Sequence, residues 1–311
     1  MVAPTMRAAA MIAGGAALVT LGVGVGLSVS KAPVPSRTDA KPFEPPPDTA
    51  IPDNEFGKAV KLGREIFTDT RRAVPQFVGN DLSCSNCHLD AGRRPNASPL
   101  WAAYGLYPQY RAKNGHVNSF AERLQECFRY SMNGRMPPAG DRTLVALESY
   151  ATFLARGASI GVMLPGQGFL KLPKAARAPD YERGRAVYAE NCAQCHGEDG
   201  GGLKVDGKTA IPPLWGGRSF NWGAGMARTP NAAGFIKANM PQDRPGALTS
   251  QQAWDVAAYI DGKPRPQDPR YAGSVEATRR QFHEGGQSAY GTTVDGVLLG
   301  GDGPPETTGL K

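Results

Sequence analysis

The longest apolar run in the chain lies near its start. Arg7 is followed by Ala8 to Val29, interrupted only by Thr20, Ser28 and small residues. Such a run is a secretory signal or an uncleaved anchor. It exceeds the ~7–15-residue core of a signal and approaches the ~20 residues of a membrane span. Ser30-Lys31-Ala32 offers a small-x-small cleavage site. Residues 1–32 therefore read as a signal peptide or N-terminal membrane anchor, and the periplasm as the compartment. Residues 33–52 are proline-rich and read as a linker.

Beyond that point the apolar positions recur at three and four residues, the period of a helix. Leu144, Leu147, Tyr150, Ala151 and Leu154 form one such stripe, and Trp254, Ala257, Ala258 and Ile260 another. Two further helices are predicted over Lys61–Phe67 and Tyr181–Tyr188. No strand pattern of comparable strength appears, so the expected fold is all-α. The helices fall into two similar frames, residues 53–160 and 178–263. The stretch between them, residues 161–177, is expected to be a linker, because Gly157 to Ala178 is rich in glycine and proline. Residues 264–311 turn polar and glycine-rich and are expected to form an irregular C-terminal tail.

Each frame holds one CxxCH motif: Cys84-Ser85-Asn86-Cys87-His88 and Cys192-Ala193-Gln194-Cys195-His196. This is the attachment signature of c-type haem, in which two thiols bond the macrocycle and the adjoining histidine reaches the iron. Zinc or disulfide CxxC pairs are the alternative, but two motifs in matching frames of an exported chain favour haem. Gly63 precedes the first motif and Gly184 the second, so the first frame carries an extra loop. Two covalently attached haem c groups are the expected cofactors.

Composition changes this picture little. The 311 residues are 41% hydrophobic with a formal net charge of +7, and arginine is frequent from Arg64 to Arg135. No lysine-rich run or RNA-binding signature accompanies the charge. It points to small anions or an acidic protein partner and away from nucleic acid.

An iron with histidine on one side takes a second axial ligand or stays open. At the second motif the candidate is Met240, presented by Lys237-Ala238-Asn239-Met240-Pro241, with Met226 and Lys237 as rivals. At the first motif Met136-Pro137 looks alike, and spacing favours it. The rival is Cys127, the one cysteine of five outside a CxxCH motif. Ser119 and Glu122 form a capping box that starts its helix, and Asn133-Gly134 ends it. Arg123, Cys127 and Ser131 stand four residues apart and share one face. The arginine favours a thiolate, and the serine can hydrogen-bond to it or to a substrate. A buried structural cysteine is the simpler reading of the same residue. Met163 is expected to pack in a core. His116 and His283 are expected to be exposed.

The run Cys127-Phe128-Arg129-Tyr130-Ser131-Met132-Asn133-Gly134, between two CxxCH motifs, resembles the TsdA-type thiosulfate dehydrogenases. The resemblance implies two tandem cytochrome c domains and a reaction that couples two thiosulfate ions to tetrathionate. It implies His88 and Cys127 as axial ligands of a catalytic first haem. Arg123 and Ser131 would stand beside Cys127, and Lys113 would be a basic substrate contact, with Arg111 as its alternative. It implies His196 and Met240 at a second haem that passes electrons to a soluble cytochrome c or another high-potential acceptor. Family members vary at the second haem between methionine and a lysine just before it. Asn239 occupies that place here, so the resemblance favours methionine. Tetrathionate reduction by the same site, and a plain di-haem electron carrier using Met136 and Met240, are the alternatives.

Overall fold

The computed structural model describes residues 42–285 and 287–301. Residues 1–32, read above as signal or anchor, lie outside the described residues. No helix among the described residues is long and apolar enough to cross a membrane. Among the described residues six longer helices carry the architecture: α1 (Glu55–Thr68), α2 (Phe120–Glu126), α3 (Arg142–Leu154), α4 (Tyr181–Asn191), α5 (Thr229–Asn239) and α6 (Ser250–Asp261). Most begin at a side chain that caps the free backbone N–H groups. Asn54 accepts from Gly57 at α1, Asp180 from Arg183 at α4, and Asp141 from Thr143 at α3. Ser119 with Glu122, and Thr249 with Gln252, close full capping boxes at α2 and α6.

Two helix crossings organise the molecule, and they are built alike. α1 packs against α3, and α4 against α6. At the first crossing a Cβ on Gly63 would lie 2.0 Å from the Ala146 carbonyl oxygen and 2.8 Å from Tyr150 Cβ. At the second a Cβ on Gly184 would lie 2.0 Å from the Asp255 oxygen and 2.8 Å from Tyr259 Cβ. Only glycine lets the backbones approach this closely. An aromatic pair sits one turn on in each case: Phe67 with Tyr150 at 5.8 Å, Tyr188 with Tyr259 at 5.3 Å. Gly63→Ala forces the crossing apart, and its unfolding free energy should fall by about 1–3 kcal/mol or more. Denaturant titration of the variant checks this, and an unchanged midpoint would contradict it.

Among the described residues three small antiparallel hairpins supplement the helices: β1 (Gln109–Arg111) with β2 (His116–Asn118), β3 (Leu203–Val205) with β4 (Lys208–Ile211), and β5 (Thr293–Val294) with β6 (Val297–Leu298). They are too short to leave an alternating signature in the sequence.

The connecting and terminal segments hold more structure than the sequence indicates. Of the proline-rich linker, the described part packs on the first frame. Phe43 meets the Trp101 ring at 5.7 Å, and Asp48 takes Arg64 at 2.7 Å and Arg93 at 2.5 Å. Residues 161–177 are more than a connector: Asn96 donates its N–H to Gly166 at 2.6 Å and Ser98 to Gly168 at 2.8 Å. The described part of the expected irregular tail, residues 264–285 and 287–301, folds back and buries Tyr290 and Leu299 in the first core, beside Phe220 and Trp222. It inserts single side chains rather than a periodic face, so no period reveals it.

That segment also corrects the reading of His283. The ring is buried, stacked on Tyr290 at 4.3 Å, and its Nε2 lies 2.9 Å from Asp268 Oδ2. Arg270 donates to the same carboxylate at 2.9 and 2.6 Å. Burial alone would raise the Asp268 carboxyl, but the bonds from His283 and Arg270 hold it well below the usual range. His116 is exposed, as expected.

Candidate active site

The residues of the first CxxCH motif open onto a cavity of about 490 Å³. Cys84, Cys87 and His88 line it, and so do Cys127, Arg123 and Ser131. The rest of its wall is mainly apolar, with Phe67, Leu82, Leu100 and Phe128 among the side chains. Two thiols and an imidazole on an apolar cavity are the donor set and surroundings that a covalently held haem requires, and a third sulfur, Cys127, is at hand for the iron's other side.

The histidine is prepared for a metal. His88 Nδ1 lies 2.6 Å from the carbonyl oxygen of Ser98. A carbonyl only accepts, so Nδ1 carries the proton and Nε2 keeps its lone pair for iron. Burial lowers the His88 pKa and favours the neutral ring that ligation needs. Ser98 itself is fixed by its N–H bond to Gly168 of the 161–177 segment. Burial pushes the Cys84 and Cys87 thiols up to about 12. His196 repeats the arrangement, with Nδ1 3.0 Å from the Pro212 oxygen and a pKa lowered by burial.

Cys127 owes its placement to a change of helix type. α2 ends at Glu126, and residues Cys127–Ser131 form a π-helical turn, a wide turn often found at functional sites. Asn133 then takes the left-handed conformation at φ 45°. The charge of an ionised Cys127 is the largest influence on Arg123, raising its pKa against the opposing pull of burial, with Tyr107 and Glu126 assisting. Arg123 also pairs with Glu126 at 3.7 Å.

The rival ligands are distributed informatively. Met136 is 46% exposed and lies off the cavity wall. Met226 lines the first cavity and packs against both cores. Met240 packs on the second core, with Cys192 and Trp215 in the same cluster. Lys237 donates to the Gly246 and Leu248 oxygens at 2.7 and 2.6 Å, so its amine already has acceptors. Met163, expected in a core, is 56% exposed and stands at the cavity wall.

Lys113, expected beside the substrate, is not on the cavity wall, whereas Arg111 is. Its Nζ donates to the Gly223 oxygen at 2.5 Å and lies 3.3 Å from the centroid of the Tyr130 ring. Burial, reinforced by Arg270 and Arg123, pulls the Lys113 ammonium down to about 7. An unfolded lysine titrates near ~10.4. From neutral pH up to that value the unfolded chain binds more protons than the folded one, so Lys113 makes stability rise with pH there. Lys113→Met should flatten that rise in thermal unfolding followed from pH 7 to 10. A slope equal to that of the unaltered protein would show that the lysine keeps its ordinary pKa.

Sequence reasoning missed several wall residues. Gln167 and Lys171 come from the 161–177 segment, and Phe220 and Ala224 from the second frame. None carries a motif. Their only signal is the fold that brings them there.

Comparison with known proteins places both frames. Residues 76–160 match the family model for the SoxA/TsdA cytochrome c domain, and residues 179–260 that for cytochrome c oxidase, cbb3-type, subunit III. The chain is 55% identical over 269 residues to a thiosulfate dehydrogenase of Thiomonas intermedia (strain K12), covering 86% of this chain and 85% of that one. It is 49% identical over 260 residues to one of Stutzerimonas stutzeri (strain A1501), covering 83% and 85%. Among solved structures, the thiosulfate dehydrogenase TsdBA from Marichromatium purpuratum in its as-isolated form superposes with a TM-score of 0.81 at 49% identity. The match covers 85% of this chain and 59% of that one. The fold is thus all-α with two cytochrome c domains, and each CxxCH motif carries a covalently attached haem c.

Proposed function

The chain belongs to the thiosulfate dehydrogenase family, and on that premise we propose that it joins two thiosulfate ions into tetrathionate at the first cavity. The observation that carries this reading is the convergence of Cys127, Arg123 and Ser131 on the cavity that His88 also lines. His88 and Cys127 would hold the first haem, and His196 and Met240 the second. When bound, the two groups supply one-electron acceptors in series, thiolate ligation lowering the first potential and methionine raising the second.

The chain's own residues do the rest. Two dianions must approach each other, and the half-buried Arg123 cation on the cavity wall offsets that repulsion. Arg111 adds a second cation on the wall. Cys127 Sγ, as thiolate, forms an S–S bond with the outer sulfur of one thiosulfate, and two electrons leave. The outer sulfur of the second thiosulfate then attacks the sulfur joined to Cys127. That bond breaks, the cysteine departs as thiolate, and tetrathionate is released. Ser131 offers its hydroxyl to the bound anion or to the thiolate between steps. The electrons pass to a soluble cytochrome c or another high-potential carrier in the periplasm.

The test is a stoichiometry. The holoprotein is mixed with thiosulfate and a one-electron acceptor, the absorbance of the haems and of the acceptor is followed, and the products are separated by ion chromatography. The reading requires one tetrathionate for every two electrons delivered. Sulfite or sulfate as product, or haems that thiosulfate does not reduce, would sink it.

A further inference from the structure

The π-helical turn that carries Cys127 ends in three consecutive carbonyls, and none of them has a partner on its own helix. The turn's own bonds run from Met132 N–H to Cys127 O at 3.0 Å and from Gly134 N–H to Phe128 O at 2.9 Å. The oxygens of Arg129, Tyr130 and Ser131 are left over. Two asparagines take them. Asn221 donates from Nδ2 to the Arg129 oxygen at 2.9 Å and from its backbone N–H to the Tyr130 oxygen at 3.3 Å. Asn80 donates from Nδ2 to the Ser131 oxygen at 2.8 Å.

Both asparagines are buried, Asn221 completely and Asn80 to within 2%. Their remaining groups are engaged as well. Asn221 Nδ2 also reaches Asn133 Oδ1 at 2.9 Å, and its Oδ1 accepts from Gly223 N–H at 3.0 Å. Asn80 also donates to the Ser219 oxygen at 3.1 Å and accepts from Leu82 N–H at 3.1 Å. The segment from Ser219 to Gly223 follows the second CxxCH motif in the chain. It presses on the turn closely enough that a Cβ on Gly223 would lie 2.4 Å from the Tyr130 ring.

We propose that Asn221, assisted by Asn80, is a positioning residue for Cys127: by binding the carbonyls of the π turn it sets where the cysteine sulfur stands relative to His88. A buried carbonyl without a partner is costly. Removing either asparagine therefore drives the turn to find other bonds, and tightening it to α geometry shifts Cys127 and Ser131 relative to each other. The second cytochrome domain thus takes part in building the first site, besides receiving its electrons.

The inference rests on the proposed role of Cys127, and its test separates the two. Ferric holoproteins are compared by low-temperature EPR, with Cys127→Ala identifying the signal that depends on the cysteine. Asn221→Ala and the milder Asn221→Ser and Asn80→Ser are then examined beside it. The expected result is a shifted or split Cys127-dependent signal, an unaltered second-haem signal, and a fall in kcat of about ten- to a hundredfold, the usual scale for outer-shell partners. KM for thiosulfate should move much less. Folded di-haem serine variants with an unchanged signal and kcat would overturn the proposal, as would equal shifts at both haems. Absence of any Cys127-dependent signal in the unaltered protein would instead overturn the role of Cys127 itself.

Discussion

Cys127→Ala should yield a protein that keeps both haems and has lost thiosulfate oxidation by on the order of 10⁴-fold or more, the scale seen when an enzyme nucleophile is removed. Retention of haem is expected because covalent attachment depends on Cys84, Cys87, Cys192 and Cys195, none of which the substitution touches. The vacancy itself is small, and it opens onto a cavity rather than a packed core. Haem staining of the denatured protein, beside steady-state kinetics, separates lost chemistry from lost cofactor. Cys127→Met is the sharper companion, since methionine can still offer sulfur to iron but cannot form and break an S–S bond. Turnover by a haem-replete Cys127→Met protein would remove the covalent route.

Arg123→Gln should lower kcat/KM for thiosulfate by about 10²-fold, in line with the loss of one preorganised donor to developing charge. Both parameters are expected to move. The cation is half-buried on the wall of the cavity proposed to bind the dianion, which enters KM. It also lines the same cavity as the cysteine, which enters kcat. Arg123→Lys should recover only part of the loss, because an ammonium lacks the planar fork that can serve a sulfonate and a thiolate together. A profile with KM unchanged and kcat reduced would confine Arg123 to the cysteine. The opposite split would confine it to substrate binding.

The parts of this molecule that the sequence shows are those with local or repeated causes. Gly63 and Gly184 can be matched because each stands ahead of a CxxCH motif on an apolar helix, and both prove to sit under a carbonyl of the crossing helix. The start of α2 is readable because a capping box is complete within four residues, Ser119 to Glu122. Arg123, Cys127 and Ser131 are readable as neighbours because helical spacing is a local rule.

What escaped has distant causes. The carbonyls of the π turn are taken by Asn80 and Asn221, and a lone asparagine has no motif. Lys113 lies close in sequence to Arg111, but the oxygen that captures it belongs to Gly223, far along the chain. His283 looks like an exposed residue of a polar tail until Asp268 and Tyr290 enclose it. In each case a polar group is satisfied by a partner that only the tertiary fold supplies.

The return of residues 264–301 to the first core bears on how such a chain can change over generations. Tyr290 and Leu299 lie within the same apolar cluster as Val60, Phe67 and Leu147. Each half carries one CxxCH motif and one glycine-mediated helix crossing, yet the halves are not separable beads. A recombination point between the CxxCH motifs would strand the first half without Phe220, Trp222, Tyr290 and Leu299. Any descendant that exchanges its second half must therefore exchange part of the first core with it. The two halves can be inherited only as a single piece.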